Sequence, residues 1–369
     1  MKKDTSSLRD HIAHWIRPEI RDLSAYHVPD SRGLIKLDAM ENPYHWPQQK
    51  IDQWLELLRT AELNRYPDPH AQKLKNRLRE VMDVPADASI LLGNGSDELI
   101  QIIIMALAGE GRSVLSVDPG FVMYRMIAEF CQMDYIGVPL REDFSLDIEA
   151  VLTAIEQHQP ALIFLAYPNN PSGNLFDRAD MLRIINAAPG VVVVDEAYHA
   201  FAEDSFMSLL DEHENLLLLR TVSKMGLAGL RLGMLVGAAP WLDEFDKLRL
   251  PYNINVLTQL SVDFALQNAP MLDQQTENIK RDRSTLFTQL QAMPGLRVYP
   301  SRANFILFRV MDAQATAVFE GLKAKGVLIK NMSKAGAILS DCLRVTVGSV
   351  EENSAFINAL QKTVSSLSD

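Results

Sequence analysis

Hydrophobic and polar residues follow two different patterns along the chain, and the alternation between them predicts the secondary structure. Short apolar runs, such as SILLG at 89–93 and VVVV at 191–194, are separated by longer segments with apolar residues every three or four positions. The short runs are typical of strands that are buried on both faces of a parallel sheet, and the longer segments are typical of amphipathic helices. The pattern therefore predicts an α/β fold.

Several of the predicted strands end in a turn or in polar residues. In open parallel sheets, ligands bind beyond the carboxyl ends of the strands. We therefore expect the polar residues after these strands to converge on one edge of the sheet. The segments are SILLGNGSDELIQIIIMALAG (89–109, a strand, a glycine turn and a helix), SVLSVDPGF (113–121), PALIFLAYPNNPSG (160–173), GVVVVDEAYH (190–199) and NLLLLRTVSK (215–224).

The pattern changes from about residue 265 onward. A long charged helix is predicted through NIKRDRSTLFTQLQAM, followed by strands in LRVYPSRANFILFRV and DCLRVTVG around a helix in QATAVFEGLKAKG. These elements indicate a smaller α+β unit. We expect a large α/β domain over 36–260 and a small α+β domain formed by 1–35 and 261–369.

Composition and charge exclude several classes of protein. The net charge of −11, without a long Lys/Arg run, argues against nucleic acid or an anionic membrane as the main partner. Cys131 and Cys342 are too few for a disulfide framework and fit a reducing compartment, so we expect a cytoplasmic protein. No apolar run predicts a membrane span or a signal peptide. His11 and His14 lack a nearby third ligand, so we expect no metal site.

The segment RTVSKMGLAGLRLGM (220–234) carries a lysine, Lys224, among glycines and apolar residues. Burial lowers the pKa of a lysine, which makes its amine a nucleophile that forms a Schiff base with an aldehyde. Pyridoxal phosphate is the common aldehyde of this kind in proteins. It requires an acid at its pyridine nitrogen, an aromatic face for its ring, a donor to its 3′-oxygen, and cationic and backbone donors for its phosphate.

Each of these requirements has a candidate at a predicted strand end. Asp195 closes VVVVD, where its carboxylate would keep the pyridine nitrogen protonated, and Tyr198 would reach the 3′-oxygen. Phe121 offers an aromatic face. The turn at 95–97 begins a helix and would present backbone N–H groups to a phosphate. The remaining candidates surround Lys224: Ser223 and Arg231 for the phosphate, and Gly226, Gly229 and Gly233 for close passage beside the cofactor.

Taken together, these motifs resemble those of the fold type I pyridoxal-phosphate aminotransferases and, within that group, of the histidinol-phosphate aminotransferase family. The resemblance implies a large domain with a mainly parallel seven-stranded sheet between helices, plus a smaller α+β domain. The matching blocks occur in the family's order: LDAMENPY (37–44), NRYPDP (64–69), GNGSDE (93–98), YPNNPSG (167–173), VVVDEAYHAF (192–201), LRTVSKMGLAGLRLG (219–233) and LRVTVG (343–348).

The resemblance also implies a role for individual residues. Lys224 would be the Schiff-base lysine and the general acid and base, and Asp195 would pair with the pyridine nitrogen. Tyr66 would reach the cofactor phosphate from the second subunit of a homodimer. The other implied contacts are Asn170 and Tyr198 at the 3′-oxygen, Phe121 at the ring, Ser96, Asp97, Ser223 and Arg231 at the phosphate, and Arg344, Tyr26 and Asn170 at the substrate.

The implied reaction is amino transfer between L-histidinol phosphate and 2-oxoglutarate, or between imidazole-acetol phosphate and L-glutamate in the other direction, as part of L-histidine biosynthesis. A guanidinium group at Arg344 could bind either a carboxylate or a phosphate. Aromatic amino-acid aminotransferases and a threonine-phosphate decarboxylase share the cofactor motifs and remain alternatives. A dinucleotide-binding oxidoreductase is a poorer match, because LLGNGSDE lacks the third glycine of that motif. A catalytically idle regulator usually carries an added DNA-binding domain, for which this chain has no room.

Each candidate residue also has a purely structural interpretation. Asp195 and Glu196 could be acids at the start of a helix. Phe121 and Tyr198 could be packing residues, Arg344 could form an ion pair on the surface, and Asn170 could serve only the turn. The spacing of seven between Lys224 and Arg231, where the common aminotransferase signature has eight, predicts a tighter loop.

Overall fold

The computed structural model describes residues 5–25, 28–311 and 314–368. The helices are α1 Thr5–Trp15, α2 Pro18–Arg21, α3 Gln48–Leu58, α4 Gln72–Val81, α5 Ser96–Leu107, α6 Val122–Phe130, α7 Ile148–His158, α8 Arg178–Ala187, α9 Ala239–Asp246, α10 Val256–Gln267, α11 Ala269–Gln291, α12 Ala315–Ala324 and α13 Val350–Ser368. The strands are β1 Ile35–Lys36, β2 Ser89–Asn94, β3 Ser113–Asp118, β4 Asp134–Pro139, β5 Leu162–Ala166, β6 Val191–Asp195, β7 Leu216–Thr221, β8 Leu232–Gly237, β9 Leu296–Val298, β10 Phe305–Val310, β11 Val327–Leu328, β12 Lys330–Asn331 and β13 Cys342–Thr346.

A seven-stranded sheet forms the centre of the larger part of the molecule, with the order β2-β8-β7-β6-β5-β3-β4. The strands from β7 to β4 are parallel to one another, and β8 runs antiparallel to both β2 and β7. The mainly parallel seven-stranded sheet expected from the resemblance is confirmed.

Burial on both faces explains the continuous apolar strands. In β6, Val192 and Val194 pack into a core cluster on one side of the sheet, and Val191 and Val193 pack into a cluster on the other side. All four side chains are fully buried. Successive residues of a strand point to opposite faces, so a strand covered on both faces is apolar at successive positions.

A second, four-stranded antiparallel sheet has the order β12-β13-β10-β9 and packs with α11, α12 and α13. It has its own hydrophobic cluster, which includes Phe305, Phe308 and Phe356. The short strand β1 pairs in parallel with β11 of this region, so the chain joins the second unit at the predicted boundary near residue 35. The two sheets and their separate clusters support a division into two units. Residue 260 lies inside α10, whose Val262, Ala265 and Leu266 belong to the cluster of the large sheet. The bounds of 36–260 for one domain and of 1–35 with 261–369 for the other stay a prediction.

Candidate functional site

A cavity of about 370 Å³ lies beyond the carboxyl ends of β5, β6 and β7. Nine of the residues that are expected to contact the cofactor line this cavity. The strand ends bring these residues to one edge of the sheet, as predicted. They are Ser96, Asp97, Phe121, Asn170, Asp195, Tyr198, Ser223, Lys224 and Arg231.

Lys224 lies in the 3-10 turn Ser223–Met225, which follows directly after β7. Its Nζ donates a hydrogen bond to the carbonyl oxygen of Ala39 at 3.3 Å and lies 5.8 Å from the centroid of the Tyr198 ring. Burial, and then the positive charge of Arg344, lower the pKa of Lys224 from 10.5 to about 8. About a tenth of this amine is therefore neutral and nucleophilic at pH 7, far more than for a lysine of ordinary pKa.

Asp195 is the last residue of β6, and only 4% of its surface is exposed. Its Oδ1 accepts a hydrogen bond from the Ala197 N–H at 3.0 Å, and its Oδ2 accepts one from the Tyr124 hydroxyl at 2.7 Å. Burial raises the pKa of Asp195 to about 6. The next helical residues form only a 3-10 turn, His199–Phe201, so the interpretation of Asp195 and Glu196 as the start of an α-helix is wrong.

A hydrogen-bonded chain connects the cofactor candidates to the expected substrate residue. Asn170 Nδ2 donates to the Tyr198 hydroxyl at 3.2 Å, and Arg344 Nη1 donates to Asn170 Oδ1 at 2.6 Å. Arg344 Nη2 also donates to the carbonyl oxygen of Asp38 at 3.2 Å. Because Arg344 is only 7% exposed, its interpretation as a surface ion-pair residue is wrong. Burial raises the pKa of Tyr198, so its hydroxyl stays protonated at neutral pH.

The start of α5 and the Arg231 side chain form the anionic-ligand end of the cavity. Gly95 precedes the helix with φ +79°, and no described side chain caps the helix start. This positive φ favours glycine, and a Cβ atom on Gly95 would lie 2.6 Å from Arg231 Nη2, so the guanidinium would have to shift. Burial raises the pKa of Asp97, whose Oδ2 lies 3.9 Å from Arg231 Nη2. Helix N–H groups and a guanidinium together favour a phosphate here.

The segment between Lys224 and Arg231 is compact. Two 3-10 turns, Ser223–Met225 and Ala228–Leu230, fill it. Gly226 and Arg231 follow these turns with φ values of +108° and +49°, which reverse the chain. These two turns form the compact loop that connects Lys224 to Arg231, seven residues later.

A larger cleft of about 680 Å³ adjoins the cavity and shares Met40, Phe121 and Asn170 with it. Arg344 lines this cleft. Three further cations, Arg125, Lys330 and Lys334, line it as well. The sequence offered no signal for Arg125 and Lys334, because neither lies in one of the matching blocks.

Tyr66 is an expected site residue that lies away from the cavity of its own subunit. Tyr66 is 80% exposed and stacks on Tyr252, with 4.4 Å between the ring centroids. It lines a separate surface depression together with Leu63 and Leu257. Tyr26 lies outside the described residues.

The donor set of the cavity fits pyridoxal phosphate. It combines a buried amine of lowered pKa, a buried carboxylate, a phenol and an aromatic ring with an anion-binding helix start. In contrast, the described residues contain no group of three or more His, Cys, Asp or Glu that could hold a metal ion.

Comparison with known proteins gives consistent matches over nearly the whole chain. A family model described as aminotransferase class I and II matches residues 32–360. The protein named histidinol-phosphate aminotransferase 2 of Nitrosococcus oceani is 56% identical over 353 residues, which cover 96% of this chain and 98% of that protein. Histidinol-phosphate aminotransferase 1 of Ralstonia nicotianae is 51% identical over 358 residues, which cover 96% of this chain and 95% of that protein.

Solved structures show the same fold at lower sequence identity. The crystal structure of histidinol-phosphate aminotransferase from Sinorhizobium meliloti in complex with pyridoxal-5′-phosphate has a TM-score of 0.85, with 23% identity over 96% of this chain and 98% of that chain. The histidinol-phosphate aminotransferase from Clostridium acetobutylicum has a TM-score of 0.83, with 21% identity over 90% of this chain and 100% of that chain.

Proposed function

The chain belongs to the class I and II aminotransferase family, and from this premise we propose that it transfers an amino group between L-histidinol phosphate and 2-oxoglutarate. In the other direction it would convert imidazole-acetol phosphate and L-glutamate, as a step of L-histidine biosynthesis. The observation that carries the proposal is the cavity in which Lys224 and Asp195 lie at adjacent strand ends, beside the hydrogen-bonded chain of Tyr198, Asn170 and Arg344. The names of relatives at 56% and 51% identity support the choice of substrate.

The cofactor is pyridoxal 5′-phosphate, which supplies an electron sink for negative charge at the substrate α-carbon. Lys224 would hold it covalently, and Asp195 would pair with its ring nitrogen. The remaining contacts would be Asn170 and Tyr198 at the 3′-oxygen, Phe121 at the ring face, and Ser96, Asp97, Ser223 and Arg231 around the phosphate.

Lys224 is also the proton carrier of the proposed reaction. Its amine would take the proton from the substrate α-carbon and deliver it to a carbon atom of the cofactor, which requires a pKa near the working pH. The pKa of about 8 that burial and Arg344 impose meets this requirement.

The positive charge around the larger cleft beside the cavity is suited to anionic substrates, although the chain as a whole carries a net charge of −11. Arg344 offers a planar guanidinium, which can form paired hydrogen bonds with either a carboxylate or a phosphate. Lys330 and Lys334 line the larger cleft and would attract a doubly charged phosphate. Arg125 also lines it, but its Nη2 lies 2.6 Å from Asp118 Oδ2, so these two charges offset each other. We therefore propose that Arg344 binds both substrates in turn.

Two other functions on this fold are less well supported. An aromatic aminotransferase from Pyrococcus horikoshii and an L-threonine-O-3-phosphate decarboxylase from Porphyromonas gingivalis match at 20% and 23% identity, which shows a shared fold only. The relatives near 50% identity carry the histidinol-phosphate name. Rates with L-histidinol phosphate and L-phenylalanine as amino donors would decide between the functions.

We also propose that the active form is a homodimer in which Tyr66 reaches the partner's cofactor phosphate. The exposed ring of Tyr66 and the apolar residues around it support this assignment. Lys224→Ala and Tyr66→Ala subunits should each be inactive alone and should regain activity when mixed, because a hybrid dimer has one intact site. Absence of activity in verified hybrids would contradict a shared site.

A cytoplasmic location is a further proposal. It is supported by Cys131 and Cys342, which are both free thiols and therefore fit a reducing compartment. Among the described residues, none of the helices has the length and apolar character of a membrane span.

The direct test of the proposed function is a steady-state assay of the purified enzyme with pyridoxal phosphate and 2-oxoglutarate. L-Glutamate should form much faster from L-histidinol phosphate than from L-phenylalanine, and the kinetics should be ping-pong because each half-reaction leaves a modified enzyme. Faster turnover of L-phenylalanine would instead favour aromatic amino-acid metabolism.

A further inference from the structure

A buried tyrosine lies directly behind the carboxylate at the end of β6. Tyr124 is on α6, three residues after Phe121, and is fully buried. Its hydroxyl donates the hydrogen bond to Asp195 Oδ2 at 2.7 Å. Tyr124 does not line the cavity, so it would act on a bound molecule only through Asp195.

Aromatic packing fixes the position of this hydroxyl. The Tyr124 ring stacks on Phe164 of β5, with 4.5 Å between the centroids and 4° between the ring planes. Its other side meets Phe121 edge to face at 5.5 Å. Burial, and then the charge of Asp195, raise the pKa of Tyr124 well above its ordinary value, so the hydroxyl keeps the proton that it donates.

The environment of Asp195 gives this hydrogen bond a function. Burial favours the neutral carboxyl, and the neighbouring carboxylates of Asp97 and Glu196 act in the same direction. The hydrogen bonds from Tyr124 and from the Ala197 N–H oppose them by stabilising the anion. An ionised carboxylate has about four acceptor positions. Two donors from the protein therefore orient the group and leave acceptor positions for a ligand.

We propose that Tyr124 is a positioning residue, which holds the Asp195 carboxylate in the orientation and charge state that pairs with the ring nitrogen of pyridoxal phosphate. The proposal rests on the assignment of Asp195 in the proposed function. Its distinctive consequence is that the Tyr124 hydroxyl acts only on ligands that carry this nitrogen.

The test uses the cofactor-free protein, pyridoxal phosphate, and the 1-deaza analogue in which a C–H group replaces the ring nitrogen. Tyr124→Phe should weaken binding of pyridoxal phosphate by roughly tenfold, since a hydrogen bond to a charged group is typically worth about that factor. Binding of the analogue should be unchanged. This comparison is a double-mutant cycle between the hydroxyl and the nitrogen, and a general packing defect would not produce it.

Tyr135→Phe is the matched control. The Tyr135 hydroxyl also donates to a carboxylate, Asp118 Oδ1 at 3.2 Å, but neither residue lines the cofactor cavity. This variant should bind both compounds as the wild type does. Equal losses for the two compounds in Tyr124→Phe, or no loss for either, would overturn the proposal. Equal binding of the two compounds by the wild type would overturn the assignment of Asp195 as well.

Discussion

Gly233→Ala tests how closely the backbone must pack behind the anionic-ligand end of the cavity. Gly233 lies on β8 opposite Gly93 of β2. An added Cβ would lie 2.6 Å from the Gly95 carbonyl carbon and from the Ser96 nitrogen, and 2.7 Å from the Gly95 oxygen. All three are backbone atoms, so no side-chain rotation can relieve the contact.

The size of the effect follows from these distances. Ordinary van der Waals contact begins at 3.4 Å, so the backbone must move away by 3.4 − 2.6 = 0.8 Å. Overpacking of this kind typically costs about 1–3 kcal/mol. The displaced atoms belong to the start of α5, so the site proposed for the cofactor phosphate would be distorted as well.

Urea denaturation of the cofactor-free protein and titration with pyridoxal phosphate would measure both effects. Gly233→Ala should unfold at lower urea concentration than the wild type and bind the cofactor more weakly. Gly229→Ala is the matched stability control, because a Cβ there meets no atom within 4 Å. Unchanged stability and unchanged cofactor affinity in Gly233→Ala would refute the reasoning.

Three further predictions follow from the site. The rate at which cofactor-free protein reacts with pyridoxal phosphate should rise with pH and level off above about 8, because the neutral amine of Lys224 is the nucleophile; a rate still rising steeply at pH 10 would contradict the lowered pKa. Arg344→Lys should raise KM for both substrates by roughly tenfold or more, since the paired hydrogen bonds are lost while the charge remains; an effect on one substrate alone would contradict shared binding. Glu196→Ala should lower the free energy of unfolding by about 3–5 kcal/mol, because it leaves the Arg220 guanidinium buried without its carboxylate partner. Glu149→Ala, which removes an exposed ion pair, is the control and should lower it by no more than about 1 kcal/mol.

Strands β3, β5, β6 and β7 of the large sheet were predictable because each is buried on both faces, whereas the more exposed edge strand β4 was not predicted. The apolar runs of β3, β5, β6 and β7 are nearly continuous, and their carboxyl ends must meet at one edge. This reasoning predicts that Asp195 and Lys224 lie close together, and both line the same cavity. In β8, by contrast, Gly233 and Gly237 interrupt the apolar run, and the strand was not predicted.

Contacts between distant parts of the chain could not be predicted from local sequence patterns. Arg344 and Asn170 are 174 residues apart, and only the family resemblance indicated that both belong to one site. Tyr124 fits the apolar face of α6, so its sequence position suggests packing alone. Its hydrogen bond to Asp195 joins residues 71 positions apart. The basic residues of the larger cleft likewise come from separate elements.

The central claim, amino transfer from L-histidinol phosphate, is tested most directly by a single half-reaction. The protein is saturated with pyridoxal phosphate without an amino acceptor, and the visible absorbance of the bound cofactor is followed after addition of L-histidinol phosphate, with L-phenylalanine in a parallel sample. We predict rapid loss of the visible band with L-histidinol phosphate and much slower loss with L-phenylalanine. Faster loss with L-phenylalanine would contradict the proposed substrate, and a stable band with both donors would contradict the proposed transamination.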